Sequence, residues 1–121
     1  METGIDKTTM DDIKANLLTH RSANPDDYAM AAEYLYYLNS DLEIGDMLIR
    51  SALTQNKELW YYRLRIDILE RLKKFKEAST VADEAIEWIN SRQDLSQAEK
   101  SEYRIGYENR KKELLSKCSS K

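Results

Sequence analysis

One proline and three glycines in 121 residues constrain this chain more than any motif in it. Strand-rich and loop-rich folds need those residues at their turns. A chain with so few of them is expected to spend its length in helices. The single proline stands in Asn24-Pro25-Asp26-Asp27. That order reads as a helix start: Asn caps, Pro fits the first helical position, and acids follow where the helix dipole favours them.

Apolar spacing predicts about six helices. A leading helix runs from Thr9 towards His20, with Met10, Ile13 and Leu17 on one face. The next starts at Pro25 and carries Tyr28, Ala31, Ala32, Leu35 and Leu38. Asn39-Ser40-Asp41 interrupts it and is expected to cap a third helix bearing Ile44, Leu48 and Ala52. Asn56 is expected to cap a fourth, with Leu59 leading into Tyr62, Ile66, Leu69 and Leu72. After Lys73-Lys74 a fifth carries Phe75, Ala78, Ala82, Ala85, Ile86 and Ile89. Ser96-Gln97-Ala98-Glu99 has the form of a capping box and opens a sixth. The sixth has only Tyr103, Tyr107, Leu114 and Leu115 as apolar content, so it should cover the fifth along one edge and leave most of its surface wet.

The helices pair. At an offset of 34, Tyr28 matches Tyr62, Ala32 matches Ile66, Leu35 matches Leu69 and Leu38 matches Leu72. At an offset of 33, Leu42 matches Phe75, Gly45 matches Ala78, Ile49 matches Ala82 and Ala52 matches Ala85, so the one-residue difference falls in the turn. A self-match near 34 residues over a helix–turn–helix unit resembles the tetratricopeptide repeat. Phe75-Lys76-Glu77-Ala78 through Ala82 to Ala85 is similar to the second helix of that family's unit. The family's Trp position holds Tyr28 and Tyr62, its Leu-Gly pair is replaced by Ala31-Ala32 and Arg65-Ile66, and no proline closes either unit.

The resemblance implies an all-α fold of antiparallel helix–turn–helix pairs in a right-handed stack. The chain would form one helical-repeat domain over 1–121: a capping helix at 9–22, repeats at 25–54 and 57–91, and a second capping helix at 96–117. The leading helix, Asn24-Pro25, Trp60-Tyr61-Tyr62-Arg63-Leu64-Arg65 and Lys76-Glu77-Ala78 are also similar, in that order, to the helical C-terminal region of certain uncharacterised exported bacterial proteins. There the region follows a β-rich domain absent here, and no known activity is implied. On that basis the chain is expected to be cytoplasmic if complete and exported if part of a longer protein.

Charge and composition exclude several functions. Net charge is −3, giving no general attraction for nucleic acid. Residues 1–46 hold ten acids and three bases, and residues 47–121 twelve acids and sixteen bases. An acidic first part could steer a basic partner, although such splits commonly serve solubility. No run approaches a membrane span. The one His and one Cys lie far apart and no metal-ligand spacing occurs, so neither metal nor cofactor is expected. There is no glycine-rich phosphate loop or Gly-x-Ser-x-Gly elbow. Asp83, Glu84 and Glu87 read as a solvated face, and Arg110-Lys111-Lys112 with Lys117 as complements to the last helix's dipole. No enzyme is expected.

The aromatic clusters remain. In the tetratricopeptide family the first helix of each pair lines a concave groove. By alignment, the resemblance implies partner contacts from Glu33, Tyr36 and Tyr37 in the first repeat and from Trp60, Arg63, Asp67 and Arg71 in the second. Aromatics with arginine are common at binding hot spots, though they also fill wide gaps between helices. The expected function is a non-enzymatic protein- or peptide-binding module. The alternative is a structural helical appendage docking on another domain. Exposed Tyr and Trp would equally suit a homo-oligomeric face.

Overall fold

The structure, a computed structural model, describes residues 24–118. Among them it is all-α, with five helices and no strand: α1 Pro25–Leu38, α2 Leu42–Gln55, α3 Leu59–Arg71, α4 Phe75–Ser91 and α5 Gln97–Cys118. The leading helix expected at 9–22, with Met10, Ile13, Leu17 and His20, lies outside the described residues. The chain divides into two compact units, Met1–Lys57 and Glu58–Lys121. The division falls one residue into the stretch 57–91 that the sequence pairs with 25–54.

In the first unit α1 packs on α2. Asn24 caps α1 as its sequence demands: its Oδ1 accepts the N–H of Asp27 at 3.1 Å, and Pro25 opens the helix. The buried faces are Tyr28, Ala29, Ala31, Ala32 and Leu35 on α1, and Gly45, Leu48, Ile49 and Ala52 on α2. Each fully buried Leu or Ile contributes about 1.5–3 kcal/mol. Asp46 is the one buried charge described on this unit, and its carboxylate accepts from Arg50 one turn later at 3.1 Å.

In the second unit α3 packs on α4, and α4 on α5. Tyr62, Ile66 and Leu69 are buried on α3, with Ala78, Val81, Ala82, Ala85 and Ile89 on α4. Ser79 is buried and returns its hydroxyl to Lys76 O at 2.7 Å. The capping box is present in full. Ser96 N–H donates to Glu99 Oε1 at 2.9 Å, and Glu99 N–H donates to Ser96 Oγ at 3.1 Å. Lys100 and Arg104 then tie the start of α5 to Asn90 at the end of α4. Leu114 alone on α5 is fully buried; Tyr107 is half-buried, and Tyr103 and Leu115 are exposed, so the apolar edge is thinner than the four residues read from the sequence.

One expected cap is wrong. Asn56 does not start α3; it ends α2 in an extended conformation, its N–H donating to Ala52 O. Glu58 is the N-cap of α3, and its carbonyl accepts from Tyr61 and Tyr62 while its side chain makes no capping bond. The backbone carbonyl suffices to open the helix. Similarly, Asp41 precedes α2 without a side-chain capping bond.

The turns within the two hairpins correspond. After α1, Asn39 lies in the left-handed region (φ 53°), with Asn39 N–H on Tyr36 O and Ser40 N–H on Leu35 O. After α3, Lys73 does the same (φ 64°), with Lys73 N–H on Glu70 O and Lys74 N–H on Leu69 O. This is the Schellman arrangement that satisfies the last helical carbonyls. Each element of it recurs 34 residues on. The first turn then holds one more residue, Asp41, also left-handed (φ 49°), before α2 begins. The change of offset from 34 to 33 therefore sits at Asp41.

Candidate functional site

The residues singled out as partner contacts divide between the units. Glu33, Tyr36 and Tyr37 are on α1; Trp60, Arg63, Asp67 and Arg71 are on α3. On α1, Tyr37 is well exposed while Glu33 and Tyr36 are half-buried. The rings of Tyr36 and Tyr37 meet edge to face, with centroids 5.9 Å apart. Such a pair holds one ring as a platform for the other.

On α3, Trp60 is half-buried and stands edge-on to Tyr61, centroids 4.9 Å apart. Tyr61 is wholly buried. Arg63 and Arg71 are exposed. Asp67 has a different setting from its neighbours. Its Oδ1 accepts from Arg110 of α5 at 2.8 Å, and the same guanidinium reaches Glu70 Oε1 at 2.6 Å. Lys117, two turns further along α5, also bonds Glu70. Tyr107 donates its hydroxyl to Leu59 O at 3.1 Å. A polar seam from Tyr107 through Arg110 to Lys117 thus fastens α5 to α3.

The two carboxylates of the seam respond oppositely. Burial pushes the Asp67 carboxyl above its ordinary value, and Arg110 and Arg63 only partly offset it. Burial also pushes Glu70 up, but hydrogen bonds from Lys117 and Arg110 outweigh it and leave that carboxyl below its ordinary value. Glu70 accepts hydrogen bonds from two cations and Asp67 from one, Arg63 acting on Asp67 through its charge alone. Tyr107 is pushed up to about 12, chiefly by burial, with Asp67 adding to it against Arg63. Tyr62 also reaches about 12, through burial, then Glu84 and Tyr107. Neither phenol can act as a base near neutral pH.

The basic run of α5 does more than complement the helix dipole. Arg110 serves Asp67 and Glu70, Lys111 reaches Asp83 of α4 at 2.8 Å, and Lys117 serves Glu70. Asp83, Glu84 and Glu87 are all exposed, as expected of a solvated face. A second aromatic group formed without notice in the sequence. Trp88 tilts against Tyr62 with centroids 5.8 Å apart, and Arg92 lies 4.6 Å over the Trp88 ring while bonding Asp94. Arg92 follows the last residue of α4 in an extended conformation, four residues after Trp88.

Among the described residues no group of three or more His, Cys, Asp or Glu could hold a metal ion. No helix among them is long and apolar enough to cross a membrane. The described buried side-chain nitrogens and oxygens all have hydrogen-bond partners, so no orphaned polar atom marks a ligand cradle. What the arrangement offers chemically is surface: an aromatic, acidic face on α1 and a Trp–Arg face on α3. In comparisons with protein-family models, with curated proteins and with solved structures, nothing matches this chain.

Proposed function

We propose that this chain is a non-enzymatic protein- or peptide-binding module built from tetratricopeptide-like helical hairpins. The observation that supports it best is the correspondence of the two hairpins. The Schellman turns at Asn39 and Lys73 lie 34 residues apart. Buried positions also match, Tyr28 with Tyr62 and Leu35 with Leu69 at that offset, and Leu48 with Val81 and Ala52 with Ala85 at 33. Even the buried polar residues, Asp46 and Ser79, share an offset of 33. Repeated hairpins of this size serve as scaffolds that present side chains from a chosen helix.

The partner-facing side chains in this reading are Glu33, Tyr36 and Tyr37 on α1, and Trp60, Arg63 and Arg71 on α3. Asp67 has the separate task of holding α5 through Arg110. Tyr, Trp and Arg are the residue types that dominate binding energy at interfaces.

The test is affinity capture from the native cell extract with the wild type and a Tyr36→Ala/Trp60→Ala/Arg63→Ala variant of equal helicity. A partner held by the wild type and lost by the variant is the expected result. Equal capture by both would refute the assigned surface. Absence of any partner would favour a structural appendage.

A further inference from the structure

Met30 and Tyr37 are the two most exposed large apolar side chains among the described residues, at 60% and 75%. They stand seven residues apart on α1, two helical turns, and so share one face. Tyr34, half-exposed, falls between them one turn after Met30, and Glu33 lies beside it. The spacing i, i+4, i+7 is that of an apolar stripe which meets a partner helix. Here Met30 and Tyr37 are exposed and Tyr34 is half-exposed.

The charge around the stripe defines what fits it. Residues 22–49 contain six acids and no lysine, arginine or histidine, in a chain that has nineteen lysines and arginines. Asp46 is buried and paired with Arg50. Asp26, Asp27, Asp41 and Glu43 are exposed, and Glu33 is half-exposed. Asp26 and Asp27 precede the stripe by one turn, Glu33 sits within it, and Asp41 follows it.

We propose that this face of α1 docks a basic amphipathic helix of another protein. Its apolar side chains lie along Met30, Tyr34 and Tyr37, and its lysines or arginines meet Asp27 and Glu33. An acidic helix would place like charges opposite each other and be rejected. Nucleic acid and anionic membrane surfaces meet the same repulsion. Two copies joined symmetrically through this face would oppose their own carboxylates, because such an interface brings a patch against itself. The inference rests on the binding-module reading and names the chemistry of its partner.

The test uses the full chain and a fluorescent peptide of about 18 residues, with leucines along one helical face and lysines elsewhere. Two controls accompany it: the same leucine pattern with glutamate for lysine, and the lysine peptide with its leucines scrambled. The wild type should bind the first peptide, less well as salt rises, and neither control. Met30→Ser/Tyr37→Ser, with helicity unchanged, should bind about tenfold more weakly or worse. Equal binding of the scrambled peptide would reduce the effect to diffuse charge and overturn the proposal. Equal binding by the double variant would overturn it too, as would sedimentation showing that Met30 and Tyr37 mediate self-association. Peptide failure alongside a capture loss caused by Tyr36, Trp60 and Arg63 would refute this inference alone. Failure of both experiments would remove the binding-module reading as well.

Discussion

Single residues decide how these helices begin and end, and two positions carry avoidable strain or entropy. Lys73 holds a left-handed backbone (φ 64°) that its Cβ disfavours by roughly 1–2 kcal/mol. Lys73→Gly should therefore raise stability, by about 0.5–1 kcal/mol after glycine's own entropic penalty; urea unfolding would show a higher midpoint. Gly106 lies inside α5 with nothing within 4 Å of where its Cβ would be. Gly106→Ala should add about 0.5–1 kcal/mol, because the helix gains without any steric cost. An unchanged or lower melting temperature would contradict this. The caps at Asn24 and Ser96–Glu99 were legible in sequence because each is a bond between residues three apart. The role of Glu58 was not. It opens α3 through its carbonyl, which every residue has, so residue type carries no signal there.

At the scale of the element, α5 is fastened by one buried leucine and a set of ion pairs. Leu114→Ala removes the only fully buried side chain of α5 and should cost about 2–4 kcal/mol, read as an early loss of helical signal on heating. The ion pairs should show in the pH dependence. Glu70 has a lowered folded value, so its stabilisation is present above the ordinary 4.5 and is lost as pH falls through the lowered value. Glu70→Gln should be less stable than wild type by about 1 kcal/mol at neutral pH, and the gap should close in acid. Asp67 has a raised folded value; its sign is opposite, favouring the folded state when protonated and losing that as pH rises. Asp67→Asn should accordingly cost less at neutral pH than Glu70→Gln. If the two variants behaved alike across the pH range, the unequal share of cations in the seam would be wrong. The weak apolar stripe of α5 announced an edge-on helix. Nothing local could announce that Arg110 spans Asp67 and Glu70, since those partners lie 43 and 40 residues away in sequence.

For the whole molecule, periodicity revealed one buried face of α3 and missed another. Tyr62, Ile66 and Leu69 were legible as a stripe matching α1. Tyr61, Leu64 and Ile68 are buried as well, although their counterparts 34 residues earlier, Asp27, Met30 and Tyr34, are exposed or half-exposed. A helix buried on two sides blurs the single-face pattern on which sequence reading depends. The second unit has its own packed pairs, α3 on α4 and α4 on α5. Expressed alone, residues 58–121 should unfold cooperatively by circular dichroism; a gradual loss of helix would show that this unit does not fold by itself. The chain also contains its own gauge of such opening. Cys118, the only cysteine, is a half-buried free thiol at the last residue of α5. The rate at which a thiol reagent labels it reports how often the end of that helix frays, so loosening at Glu70 or Leu114 can be timed on the native sequence without introducing a probe.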